Sequence, residues 1–157
     1  MKFSEMPYKR IDMEEVEKEY KSIIERTKNA KSGEEQFEIH REYYKFTADV
    51  QTSMELAMIR HDIDTTDEFY EKESDFYDEV GPIISQYENE YGKVLYDSPY
   101  RDYLESKIGK VTFKNIEIAN KAFDEKIIPL MQEENALSSR YSKLIATAEQ
   151  REYIYHR

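Results

Sequence analysis

Three histidines, 34 acidic residues and no cysteine bound the chemistry open to this chain of 157 residues. A zinc hydrolase of the H-E-x-x-H type sets two histidines one helical turn apart, with a glutamate beside the first. The histidines here are His40, His61 and His156, and the residues after them are Arg41, Asp62 and Arg157. The motif is absent. A di-iron bundle needs Glu-x-x-His pairs on facing helices, but Phe37 and Met58 stand three residues before His40 and His61. Without cysteine there are no thiolate ligands, no cysteine nucleophile and no disulfides. No serine sits in a Gly-x-Ser-x-Gly elbow, and no glycine-rich loop could cradle a phosphate. The expectation is that this chain carries no catalytic residue, no metal ligand set and no cofactor of its own.

One segment has the outline of a calcium loop. Asp62, Asp64 and Thr66 fall at loop positions one, three and five, and Glu73 at twelve. The sixth position, where such a loop needs glycine, is Asp67. A helix-capping turn, with Thr65 and Glu68 as a capping box, explains the same residues more simply. His61 closes the apolar stripe of the preceding helix. It reads first as a packed histidine bonded to a carboxylate, and second as a group facing a substrate.

The elements that position these residues are helices. Asp12 opens the first with Glu15 three residues later, and Val16, Tyr20, Ile23, Ile24 and Thr27 line one face. Ser32-Gly33 ends it. A long helix over 34–61 follows, striped by Ile39, Tyr43, Phe46, Val50, Met54, Ala57 and His61. Leu56, Ile59 and Ile63 widen its face, so its far end should be the more buried one. A second long helix over 66–96 carries Phe69, Phe76, Val80, Ile83, Tyr87, Tyr91 and Val94, with a kink expected at Gly81-Pro82. Ser98 and Pro99 should start a short helix that Gly109 closes. Phe113, Ile116, Ala119 and Phe123 mark a fifth helix. Asp124 should cap a sixth, carrying Ile127, Met131, Leu137, Tyr141, Leu144 and Ile145. The fold class is therefore all-α, an irregular bundle of about six helices. Residues 1–148 read as one helical domain, and 149–157 as a divergent tail.

Charge excludes further classes. Lys and Arg number 23 against 34 Asp and Glu, a net −11. That balance disfavours nucleic acid and anionic membrane as partners. No apolar run approaches a membrane span and the first residues lack a signal-peptide core, so a cytoplasmic protein is expected.

The stretch Ile59-Arg60-His61-Asp62-Ile63-Asp64-Thr65-Thr66-Asp67-Glu68-Phe69-Tyr70, continuing through Glu71-Lys72-Glu73-Ser74-Asp75-Phe76-Tyr77-Asp78-Glu79, resembles the N-terminal region of the oligoendopeptidase F family. These are thimet-oligopeptidase-like zinc metallopeptidases. The resemblance returns at Gln132-Glu133-Glu134-Asn135-Ala136-Leu137-Ser138-Ser139 and at Tyr141-Ser142-Lys143-Leu144-Ile145-Ala146. Phe3, Met6-Pro7-Tyr8 and Arg10 are similar too. It covers nearly all of residues 1–148.

The resemblance implies a helical wall of a peptide channel. In the complete family enzyme, zinc and H-E-x-x-H lie in a C-terminal catalytic region, and a zinc-bound water attacks short peptides. None of those residues is here, so the chain is expected to be inactive alone. It would be a severed piece of a longer peptidase, or a truncated frame with an unrelated tail. Its partners would be the catalytic region and short peptides. Substrate contact, if this region makes any, falls to Arg60, His61, Asp64 and Thr65, where a cation and a histidine meet peptide carbonyls or a C-terminal carboxylate. The alternative is a stand-alone helical protein-interaction domain, whose exposed apolar surface binds another protein or itself.

Overall fold

The computed structural model describes the backbone of residues 5–155 and the side chains of 5–124 and 126–145. Six α-helices follow one another: α1 (Met13–Asn29), α2 (Gly33–Ile63), α3 (Glu68–Tyr96), α4 (Arg101–Ile108), α5 (Lys110–Ala122) and α6 (Ile128–Tyr155). A 3-10 turn, Glu125–Ile127, precedes α6. Among the described residues there is no strand, and no helix is long and apolar enough to cross a membrane.

The helix ends follow local chemistry. Asp12 accepts from the backbone N–H of Glu14 and Glu15, so α1 starts where its cap dictates. Ser32 does more than separate two helices. Its hydroxyl accepts from Glu35 N at 3.1 Å, and Glu35 Oε2 reaches back to Lys31 N at 2.7 Å. This is nearly a capping box, and it starts α2. The Thr65–Glu68 box expected for α3 is not the one formed. Asp67 instead accepts from Phe69 N and Tyr70 N at 2.8 and 3.3 Å, which starts α3 at Glu68. Ser98 does not cap α4 directly either. Its Oγ accepts from Tyr100 N within a turn, and α4 begins at Arg101. Gly109 closes α4 at φ 92°, a conformation that favours glycine.

The chain divides into two compact units. One holds Ile11–Thr52 and Ile83–Glu125. Its core is apolar: Ile23, Ile24, Ile39, Tyr91, Leu95, Leu104 and Phe113 are buried together. Aromatic rings fill the rest, with Tyr43 stacked on Tyr91 at 3.7 Å and Tyr20 on Tyr87 at 5.4 Å. Hydroxyls among them bond across helices. Tyr87 donates to Glu17 at 3.1 Å, and Tyr91 Oη lies 2.9 Å from His40 Nδ1. Gln36 is buried and joins three segments, donating to Thr27 O at 2.8 Å and accepting from Ser98 Oγ at 2.5 Å.

The other unit holds the described residues up to Arg10, Ser53–Pro82, and those from Lys126 onward. Its interior is more polar. Leu56, Ala57, Tyr77 and Val80 are buried beside His61, Glu73, Ser74 and Asp78. At the far end of α2 Leu56, Ala57 and His61 are buried, but Ile59 and Ile63 are exposed, as is Phe69 at the start of α3.

Candidate functional site

The junction of α2 and α3 brings the expected site residues into one turn of chain. Two of them, Arg60 and Asp64, already hold structural bonds. Arg60 donates from Nη1 to the Tyr70 hydroxyl at 2.7 Å and from Nη2 to the carbonyl of Met6 at 2.6 Å, and its guanidinium lies over the Tyr70 ring. It ties the N-terminal arm to both helices. His61 is 7% exposed, with Nδ1 3.8 Å from Asp62 Oδ1. At that distance the two groups are neighbours without a hydrogen bond. Asp64 Oδ1 accepts from both the N–H and the hydroxyl of Thr66, at 3.0 and 2.6 Å. These bonds hold its carboxyl below the usual range. Thr65 is half-buried in the turn itself.

Two polar groupings lie beside this junction. In the first, Glu73 is 4% exposed and fully engaged. Arg10 reaches it with Nε at 2.8 Å and Nη2 at 2.5 Å, and Tyr8 donates to it as well. The Arg10 bonds hold the Glu73 carboxyl below its ordinary value, while burial pushes the Tyr8 phenol up. Glu73 would be position twelve of a calcium loop. Its carboxylate instead clasps the N-terminal arm. Ser53 continues that clasp, donating to Lys9 O at 2.5 Å and sitting 2.9 Å from the Tyr77 hydroxyl.

The second grouping joins α3 to α6. Asp78 is buried, and burial raises its carboxyl above the usual value. Ser139 donates to its Oδ2 at 2.6 Å. Asn135 Nδ2 donates to the Asp78 carbonyl at 3.3 Å, and Gln132 Nε2 to the Glu79 carbonyl at 2.7 Å. Proline explains this pattern. α3 continues through Gly81 and Pro82, and Pro82, four residues after Asp78, has no N–H to offer that carbonyl. The side-chain amide of Asn135 in α6 supplies what the proline withholds. Lys143 pairs with Glu71 further along and holds its carboxyl low. Neither grouping was visible in the sequence as a pair. The available signal was a proline inside a helical stripe, which calls for outside donors, together with the amide-bearing Gln132 and Asn135.

Among the described residues no group of three or more His, Cys, Asp or Glu is arranged to hold a metal ion. His40 bonds Tyr91 in one unit, His61 stands beside Asp62 in the other, and His156 lies outside the described residues. The polar groups described above brace helices, and the domain they hold together is all-α among the described residues.

The family model for the Peptidase M3 N-terminal domain matches residues 3–123, and the chain belongs to that family. Among solved structures, one named PZ peptidase A with inhibitor 2 shares 39% identity at a TM-score of 0.90, over 92% of this chain and 26% of its own. A second, described as an oligoendopeptidase F, gives 38% identity and 0.90 over 93% of this chain and 26% of its own. A third, described as an oligoendopeptidase F from Bacillus anthracis str. Ames, gives 37% and 0.87 over 90% and 26%. This chain thus spans about a quarter of the length of each and corresponds to the N-terminal domain of an oligoendopeptidase F. No curated protein matches it.

Proposed function

We propose that this chain serves as the N-terminal wall of the substrate channel in an oligoendopeptidase F-like zinc metallopeptidase that hydrolyses short peptides in the cytoplasm. The observation that carries this reading is the likeness to oligoendopeptidase F at 38% identity and a TM-score of 0.90, over 93% of this chain but only 26% of the relative. Residues 1–148 form the shared domain in this reading, and 149–157 diverge from it. In this reading zinc belongs to the remainder of such an enzyme; among the described residues no group of three or more His, Cys, Asp or Glu is arranged to hold a metal ion. This chain's own contribution is binding and exclusion: it holds extended peptides and keeps out folded protein.

Within that role, peptide contact is assigned to the α2–α3 junction of Arg60, His61, Asp64 and Thr65. The Arg60 guanidinium already donates to a main-chain carbonyl, that of Met6 in the arm. A bound peptide offers the same chemical group. The exposed Asp64 carboxylate, kept ionised by Thr66, suits a peptide N–H or amino terminus.

The test is peptide hydrolysis with a short quenched-fluorescent substrate. The chain alone, supplied with zinc, should give no turnover. A chimera in which it replaces the matching quarter of PZ peptidase A should cleave the peptide. A folded, zinc-loaded chimera without turnover would overturn the reading.

A further inference from the structure

α6 packs the opposite way round from an ordinary surface helix. At about 100° per residue, Gln132, Asn135, Ser139 and Lys143 share one face, and all four bond to α3. The opposite face carries Leu130, Leu137, Tyr141 and Leu144, which are 64, 57, 66 and 64% exposed. The side turned to α3 is largely polar, with Ile128 and Met131 half-buried near it, and the outer side is apolar, the reverse of the usual amphipathic arrangement. A shallow groove of about 590 Å³ runs along this side, with Glu133 and Glu134 at its edge.

We infer that the outward apolar stripe of α6 is a docking surface for the catalytic region of an oligoendopeptidase F-like enzyme. This rests on the function proposed above. The occupant follows from three observations. This chain matches only 26% of each solved relative, so most of the relative's length has no counterpart here to cover the stripe. The inner face of α6 is held by specific bonds to α3, including the one from Asn135 to the carbonyl that Pro82 leaves without an N–H, so rolling its apolar side inward would break them. A second copy is a poor cover. Pairing two such stripes gathers Glu133 and Glu134 from both copies, in a chain of net charge −11. The fitting partner offers an apolar ridge flanked by lysine or arginine opposite the two glutamates.

The chain has no cysteine, so a single introduced thiol reports on one position. Leu137→Cys and Leu144→Cys would be labelled with a maleimide in the chain alone and in the PZ peptidase A chimera, with Arg41→Cys as a surface reference and denatured protein giving the unprotected rate. The expected result is fast labelling at 137 and 144 in the chain alone, slowed by about tenfold or more in the chimera. Unslowed labelling in a folded chimera overturns the proposal. Protection at 137 already in the isolated chain, with sedimentation showing a dimer that Leu137→Glu dissociates, overturns it in favour of a second copy. Should the chimera not fold, that sedimentation experiment decides: an open monomer supports the proposal and a dimer through the stripe ends it. Turnover separates the two readings. An active chimera with open thiols sinks the docking face alone. Protected thiols in a zinc-loaded but inactive chimera support the face and sink the channel role.

Discussion

Asn135 offers the sharpest test of how α6 is held. Pro82 cannot donate to the Asp78 carbonyl, and Asn135 Nδ2 does so at 3.3 Å. Asn135→Ala leaves that acceptor without its partner. A buried acceptor left bare costs about 1–3 kcal/mol. Asn135 is half-buried and its bond is long, which puts the expected cost near the low end, about 1 kcal/mol. In a chain of this size that lowers Tm by roughly 2–4 °C. Pro82→Ala restores an N–H for the same carbonyl. In that background Asn135→Ala should cost almost nothing, so the double-mutant cycle should show a coupling of about 1 kcal/mol. Urea unfolding of the four proteins at unchanged m-value measures it. An equal cost in both backgrounds would refute the compensating role given to Asn135.

Further outcomes follow at four other sites. Arg10→Ala should cost about 2 kcal/mol in urea unfolding, because it strands the buried Glu73 carboxylate, and Arg10→Ala with Glu73→Leu should recover most of it. Arg10 depresses the folded-state pKa of Glu73 below 4.5, so its stabilisation is present above that value and is lost as pH falls through the folded pKa; the acid limb of the stability curve should be shallower in Arg10→Ala. Asp78 has a raised folded pKa, so its charge costs stability at neutral pH and the cost fades in acid; Asp78→Asn should raise Tm near neutrality, with a gain that shrinks as pH falls. His40 is depressed below 6.5 by burial, so the unfolded chain takes up the proton first, and stability should fall as pH drops below about 6.5, a limb that His40→Gln flattens. Gly33→Ala should destabilise by about 1–3 kcal/mol despite better helix propensity, since the new Cβ would lie 2.7 Å from the Tyr103 ring; Tyr103→Leu should relieve it in thermal melts.

Helical periodicity made most of the fold legible. Val16, Tyr20, Ile23, Ile24 and Thr27 form one spaced face in the sequence and are all buried in α1. The α2 stripe from Ile39 to His61 likewise turns inward, with Ile39, Val50, Ala57 and His61 buried. Periodicity says which residues share a face, but not which face a neighbour covers. That is why Ile59, Ile63 and Phe69 were expected inside and are exposed, and why Leu137 and Tyr141 look like core residues yet face outward. Capping residues were misread where several candidates lie close together. Asp67 outcompetes Thr65 because its carboxylate reaches two N–H groups at the start of α3. The family resemblance was readable from long ordered segments, and it singled out Arg60, His61, Asp64 and Thr65 as the candidate peptide contact. It did not show that Arg60 holds Met6 and Tyr70, a contact between residues far apart in sequence.

The most direct measurement of the account is peptide turnover by the chimera beside the chain alone, both zinc-supplied and both confirmed helical by circular dichroism. The account expects no cleavage by the chain alone and, in the chimera, kcat/KM within about tenfold of the parent PZ peptidase A, equivalent to a transition-state difference of no more than ~1.4 kcal/mol. Cleavage by the chain alone, or a folded chimera that binds zinc and cleaves nothing, would contradict it.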